Sequence, residues 1–484
     1  MRGTNEGPMT DISPLAAPFP PATATDWRAL VEKTLKDAPF ESLQRQTLEG
    51  LAIAPLYEAS RDAPGFALRE YDAERPWDVR ARVAHPDAAR ARGDLLADLE
   101  GGAASGLVVI DPSGVSGVAI GSASDLSRAI DGVMLELAPV ALDAGFFGPK
   151  AADWLSAAAK SSPAALLQFH MDPLSAFAAA GESPGPVESH IVSAATVGAR
   201  LAAAYPKATL FLASGRVVHE AGGGEAGELA FAIAAALAYA KALVRAGLPM
   251  DQAFASIQLG LAADAEYFAT LAKLRAARVL WARVTSACGV ETPARIEARS
   301  SNRMLAVQDP WTNMLRLTAA AFGAAVGGAD SVVLGTFTDA IGLPTAFARR
   351  QSRNAQLVLM EEAHLGRVAD PAAGSGYVEA LTDEMARAAW SQFQAIETQG
   401  GLVAALEAGL IVKQIAAVKA AREAAGTPKI VGVTAFPPTQ DAPVEIEAPA
   451  AVSVEAPSVR LPGPDSRCPP LKPVRLAEPH EAAR

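Results

Sequence analysis

Residues 208–240 read ATLFLASGRVVHEAGGGEAGELAFAIAAALAYA. An apolar run of strand length, ATLFLAS, gives way to a glycine-rich turn and then to a long alanine-rich helical pattern. That is one strand–turn–helix unit, and the chain repeats it. GLVVID (106–111), ALLQFHM (165–171) and DSVVLGT (330–336) are further strand candidates. Helical stretches lie between and after them at 150–160, 188–205, 227–247 and 265–287. Strands joined by helices of this length pair in parallel, because a parallel crossover needs a dozen residues or more. Repeated over about 350 residues without a GxGxxG turn, the pattern predicts an α/β (β/α)8 TIM barrel. An open doubly wound sheet is the other arrangement it admits.

In such a barrel the chemistry sits at the carboxyl ends of strands, which is where His219 and Glu220 fall. On a continuing strand these neighbours point to opposite faces and form no compact acid–base pair. Gly222, Gly223 and Gly224 could cradle a phosphate at the next helix start, but Glu225 and Glu228 stand there and repel an anion. In SSNRMLAVQDPWTNMLRLT (300–318), Gln308 and Asp309 are polar candidates, with helix capping an equal explanation for Asp309. VADPAAGSGYVEALTDEMA (368–386) places a Gly/Ser run before another helix. His85, His170, His190, His364 and His480 show no metal-ligand spacing, so no metal site is expected.

Composition narrows the function classes. The 484 residues carry a formal charge of −11, which argues against a nucleic-acid backbone as partner. Cys288 and Cys468 are far apart and fit a reducing cytoplasm. The start lacks a signal-peptide pattern. The longest uncharged apolar run, 317–329, is shorter than the roughly 20 residues of a membrane helix, so no membrane partner is expected. Residues 1–25 read as an extended N-terminal arm. The helix TDWRALVEKTLKDA follows, with Thr25 or Asp26 as cap and Trp27, Leu30, Val31 and Leu35 on one face. The barrel is expected over 26–430. Eleven of the chain's 35 prolines fall in residues 431–484, so this stretch reads as a linker or wrapping strap rather than a domain.

Taken in order, TDWRALVEKTLK (25–36), IAPLY (53–57), RPWDVR (75–80), HEAGGGEAGELAFAIA (219–234), AKLRAARVLW (272–281), AVQDPWTNMLRLT (306–318) and DAIGLPTAFARRQSRNAQLVLMEEAHLGRVADPAAGSGYVEALTD (339–383) resemble methylmalonyl-CoA mutases. The likeness covers roughly residues 20–435. It implies a (β/α)8 barrel. In active members an acyl-CoA threads this barrel, and adenosylcobalamin on its carboxyl face drives a radical interconversion of methylmalonyl-CoA and succinyl-CoA.

The departures from that family pattern are concentrated at the expected site. Where active members read Ser-Gly-Tyr-His-x-Gln-Glu-Ala-Gly, this chain has Ser214, Gly215, Arg216, Val217, Val218, His219, Glu220, Ala221 and Gly222. Val217 therefore takes the histidine position, and it can neither donate nor accept a hydrogen bond. Arg82 stands for the catalytic tyrosine. Glu70, Tyr71 and Asp72 replace a substrate-contacting Thr-Met-Tyr run. The residues 112–122 replace a Gly-Tyr-Asp-Ser-Asp-Asn-Pro-Arg loop, and Glu297 and Arg299 replace a histidine and a glutamine. No Asp-x-His-x-x-Gly cobalamin motif occurs in the sequence. The resemblance thus implies the small (β) subunit of a heterodimer, catalytically degenerate at Arg82 and Val217. Arg216, His219, Glu220 and Arg299 are its vestigial cofactor face. It implies no cofactor in this chain, and adenosylcobalamin in a homologous large (α) subunit. The alternative is an acyl-CoA mutase or anion-binding barrel with a pocket rebuilt on Arg82, Arg216 and Arg299.

Overall fold

In the computed structural model, residues 22–59, 69, 72, 74–440, 442–448 and 451–481 are described. The chain divides into two compact units, up to Tyr57 and from Glu58. Most of the expected arm, residues 1–21, lies outside the described residues, as do Glu70 and Tyr71.

The first unit holds helix α1 (Ala24–Leu35) and a short hairpin of β1 (Arg45–Gln46) and β2 (Ala52–Ile53). The helix begins before the expected cap positions. Its cap is Thr23, whose hydroxyl accepts from the Asp26 amide while the Asp26 carboxylate accepts from the Thr23 amide. Asp26 is therefore the reciprocal partner in a capping box. Trp27 meets Phe40 edge-on at 6.0 Å. None of the residues of α1 is fully buried.

The second unit is a closed barrel of eight parallel strands: β3 (Asp78–Val83), β4 (Ser105–Val109), β5 (Val140–Asp143), β6 (Leu167–Met171), β7 (Thr209–Ser214), β8 (Ile257–Ala263), β9 (Ile296–Ser300) and β10 (Ser331–Val333). Ser331 and Val332 of β10 pair with Asp78 and Val79 of β3, which closes the ring. The four strands read from apolar runs are present. Of the others, β3, β5 and β9 carry charged residues that bond within the barrel and that a hydrophobicity pattern treats as solvent-facing, while β8, IQLGLAA, is uncharged and fully buried.

Helices fill the crossovers. They are α2 (Ala88–Glu100), α3 (Ala123–Ala129), α4 (Gly148–Ala158), α5 (Pro173–Ala180), α6 (Val187–Ala204), α7 (Arg216–Glu220), α8 (Glu225–Arg245), α9 (Met250–Ala255), α10 (Tyr267–Ala287), α11 (Asn313–Val326), α12 (Ala346–Leu357) and α13 (Gly376–Thr398). Asp87, Ser122, Asp172 and Thr345 cap α2, α3, α5 and α12 by accepting from first-turn amides. Helix α8 is long and apolar enough to cross a membrane, but most of it is buried here against α13, α10 and the strands β7 and β8.

The proline-rich stretch makes a circuit of the barrel's carboxyl-end rim. Val433 starts beside Ala306 in the loop after β9. Glu447 then bridges to Leu343 after β10, and the Val454 amide donates to Pro112 after β4. The Leu461 amide donates to Pro184, Cys468 to Gly181 and Leu471 to Ala178, around the end of α5. Val474 donates to Glu220 and Leu476 to Arg303. Ala477 closes the circuit, packing on the same Ala306 as Val433. Proline cannot donate to a ladder, so the segment is held by isolated backbone bonds to successive rim loops. Glycines on the rim let its backbone approach: a Cβ at Gly121 would lie 2.4 Å from the Glu455 carbonyl oxygen.

Candidate functional site: a filled barrel and a displaced histidine

Side chains from β3, β4, β5 and β9 bond to one another across the barrel interior. The Arg80 guanidinium donates to Glu297 at 2.6 Å and to Asp78 at 2.6 Å, and its Nε donates to Ser105 at 2.9 Å. Arg299 donates to the other oxygen of Glu297 at 2.6 Å and to Asp143 at 2.6 Å. Residues two apart on a strand share a face, which is why Glu297 and Arg299 both enter the barrel from β9. Burial pushes the Glu297 carboxyl up, but Arg299 and Arg80 outweigh it and hold the group well below the usual carboxylate range. Leu107, Ala141 and Val333 pack as an apolar layer within the same wall.

His170 completes this interior. It takes φ 46° at an irregularity in the β6–β7 pairing. Its Nε2 lies 3.1 Å from Gln258 Oε1, and its Nδ1 lies 3.8 Å from Glu297. Burial brings its pKa down to about 4, so the ring is neutral.

At the mouth, Arg216 stays within electrostatic reach of Arg299 and Asp143, while Arg82 and His219 turn to other partners. Arg82 sits on β3 with Asp339 at 3.6 Å. Arg216 opens α7, 3.8 Å from Glu220, and burial together with Arg299 lowers its pKa. Glu220 accepts from the Asn302 amide at 3.2 Å. Each of the three arginines thus faces a carboxylate: Arg82 faces Asp339, Arg216 faces Glu220, and Arg299 faces Glu297 and Asp143. The geometry does not bring them together on one free cationic pocket.

The largest correction concerns His219. The strand ends at Ser214, and Arg216–Glu220 form the short helix α7. Helical geometry, rather than strand alternation, sets the directions of Val217, His219 and Glu220. Val217 and Glu220 stay half-buried, while His219 is fully buried. Its Nε2 lies 2.9 Å from Ser301 Oγ and 3.2 Å from Asp264, and its Nδ1 lies 3.3 Å from Glu228. Lys273 donates to Glu225 and, at 2.6 Å, to Glu228, and Arg303 donates to Asp264 at 2.9 Å. Three carboxylates meet three cations in a balanced cluster. Burial and Arg303 oppose the charge on His219, but Glu225 and Asp264 prevail and push its pKa up to about 10. Oxygen and nitrogen atoms of His219, Glu225 and Glu228 lie close enough together to hold a metal ion. Lys273 already bonds both of those carboxylates, so the local positive charge is supplied from within the fold.

The glycine turn has a structural task as well. The carbonyls of Gly223 and Gly222 accept from Arg303 at 2.8 Å and Arg422 at 3.2 Å. Gln308 donates to the Glu481 carbonyl at 3.2 Å, and Asp309, at φ 46°, accepts from the Thr312 hydroxyl rather than capping through a backbone amide. Sequence reasoning did not single out Arg80, Asp143, Asp264, Lys273 or Arg303. The signal available was local: charged residues two apart in DVRARV and IEARS, flanked by apolar ones.

The family model described as methylmalonyl-CoA mutase matches residues 105–460. The chain is 42% identical over 476 residues to the methylmalonyl-CoA mutase small subunit of Streptomyces virginiae, covering 92% of this chain and 76% of that protein. It is 35% identical to the small subunit from Propionibacterium freudenreichii subsp. shermanii, covering 87% of this chain and 70% of the relative. It is 31% identical to a methylmalonyl-CoA mutase of Cereibacter sphaeroides, over 87% of this chain and 65% of the relative. With an eight-stranded parallel barrel in place, the chain belongs to the methylmalonyl-CoA mutase family, and it is similar there to members named small subunits.

Proposed function

We propose that this chain is the non-catalytic small subunit of a heterodimeric, adenosylcobalamin-dependent methylmalonyl-CoA mutase. It stabilises a homologous large subunit that carries the cofactor, the substrate and the interconversion of methylmalonyl-CoA with succinyl-CoA. The observation that carries this reading is the filled barrel: Arg80, Glu297, Arg299 and Asp143 bond across the space that an acyl-CoA would thread. Admitting a substrate chain there means parting buried ion pairs, which costs several kcal/mol for each uncompensated charge. Val217 on α7 adds to it, because a valine cannot polarise a thioester carbonyl.

The residues at this face do not fit adenosylcobalamin as metal ligands. His170 is buried against Gln258, and His219 lies in the ion cluster. This supports the reading that the cofactor and its radical chemistry are carried by the large subunit. Residues 22–57 suit a partner-binding role, since Trp27, Val31 and Leu35 of α1 are only half-buried and Leu30 is exposed. A segment this short gains most of its stability by docking. The free thiols Cys288 and Cys468 suit the cytoplasm.

The test is co-expression with a homologous large subunit, with the purification tag on this chain alone. The two chains are expected to copurify in equal amounts, with turnover and corrinoid only in the complex. Val217→His in this chain should restore no turnover by itself. Corrinoid binding or turnover by the isolated chain would overturn the reading.

A further inference from the structure

Large apolar side chains collect on the outside of the barrel where α11 and α12 begin. Trp311, just before α11, stacks on Phe337 with ring centroids 4.9 Å apart, and Phe347 at the start of α12 meets both rings at 6.3 Å. Phe337 is buried and anchors the cluster, while Phe347 is 50% exposed. Leu315, one turn after Trp311, is 70% exposed. Its neighbour Arg316 donates to the Val431 carbonyl, which brings the start of the rim circuit alongside. Val431 is half exposed, and Phe436, five residues on, is 86% exposed.

An apolar side chain exposed by itself needs no account, but these lie together. Phe436 carries a second, independent signal. It takes φ 50°, a left-handed conformation that suits glycine or asparagine and strains an aromatic residue. The fold therefore tolerates backbone strain in order to hold a ring out in water. An aromatic side chain presented in this way has the character of an interface anchor.

The charges around the patch say what kind of surface fits it. Helix α12 carries three arginines and no acid. Arg349 and Arg353 bond inward to Asp94 and Asp98, whereas Arg350, one turn after Phe347, is exposed. Lys429, two residues before Val431, is exposed as well. Neither Arg350 nor Lys429 has an ion-pair partner among the described residues. Asp309 and Glu481 lie within electrostatic reach of Arg316, and Glu481 also pairs with Arg475. Those four charges balance, which leaves Arg350 and Lys429 in excess on a chain of formal charge −11. In a twofold pair of identical chains this basic rim would meet itself, so a second copy is disfavoured.

We propose that this patch docks a different protein chain, one presenting an apolar surface rimmed by carboxylates, and that this chain is the large mutase subunit. The identity of the partner rests on the small-subunit reading given above. The location of the surface rests on Leu315, Phe347, Val431 and Phe436 alone.

The test is titration of the purified full chain with a homologous large subunit, read by biolayer interferometry, with thermal midpoints of the isolated chain alongside. Phe436→Gly removes the ring and relieves the strain at φ 50°. It is expected to weaken the complex about thirtyfold while leaving the midpoint unchanged or higher. Leu315→Glu should weaken the complex about a hundredfold, and Arg350→Glu about tenfold with a smaller dependence on salt. Val192→Glu, at a position 60% exposed on α6, is the control and should leave the affinity unchanged. Affinity indifferent to the Leu315, Arg350 and Phe436 variants overturns this surface and leaves the small-subunit reading standing. Absence of any complex with the parent chain overturns both. Self-association of the isolated chain that Leu315→Glu abolishes also overturns the proposal, because the occupant is then a second copy.

Discussion

Arg80 and Glu297 meet at 2.6 Å inside the barrel, from strands β3 and β9, with both side chains essentially removed from solvent. They come from residues 217 apart in sequence, joined through the intervening strand β10. Removing one partner of such a pair strands the other charge. Glu297→Gln should therefore destabilise the fold by about 3–5 kcal/mol, read from urea denaturation. The double change Arg80→Met with Glu297→Leu should recover only part of that loss, because Arg299 is left with Asp143 alone and Asp78 with Ser105 alone. A single variant as stable as the parent would contradict the account.

His219 makes the stability depend on pH in a defined direction. Its pKa is raised to about 10 in the folded chain, against 6.5 in the unfolded one. The stabilisation is fully present below about pH 6.5 and is lost as pH rises through about 10. His219→Gln should lower stability at pH 7 and flatten the decline between those values, as followed by thermal midpoints across the range.

Asp172 acts in the same direction over a lower pH range. Its carboxylate accepts from the Tyr239 hydroxyl and from the amides of Ser175 and Ser214, linking β6, β7 and α8. Burial outweighs these bonds and raises its pKa to about 7. The folded chain then holds a proton that the unfolded chain has released. Between about pH 4 and pH 7 this group makes stability fall as pH rises, by at most about 1.4 kcal/mol per pH unit. Asp172→Asn should remove that slope in pH-dependent denaturation.

The rim circuit depends on close backbone approach. A Cβ at Gly121 would fall 2.4 Å from the Glu455 carbonyl, and no special φ is needed there, so the clash alone is probed. Gly121→Ala should leave the barrel folded while raising amide exchange around Val454, whose N–H donates to Pro112. Unchanged protection at Val454 would mean that the segment is not held at this point.

The barrel was legible in part where strands are apolar, although the equally buried IQLGLAA of β8 was not read. ATLFLAS and GLVVID are buried on both sides, so composition alone marks them. DVRARV and IEARS are equally part of the barrel, yet each sends charged residues inward, where only tertiary partners satisfy them. The site was legible as departures at Arg82, Val217 and Arg299. It was not legible as geometry, because the placement of His219 depends on α7 being a helix, and Lys273 and Asp264 reach it from distant segments. Pairing across a barrel is long-range information that a local pattern does not carry.

The circuit from Val433 to Ala477 has a mechanical consequence. Tension applied at Glu481 first loads its bonds with Val307 and Arg475, before any barrel strand bears force. Peeling would then travel backwards around the rim, releasing the loops at Arg303, Glu220, Gly181, Pro112 and Leu343 one after another. Each release is a separate yield, the largest at residues 178–187, where Asp465, Ser466, Cys468 and Leu471 share several hydrogen bonds. The barrel is thus shielded from a pull on this end by a sequence of sacrificial links.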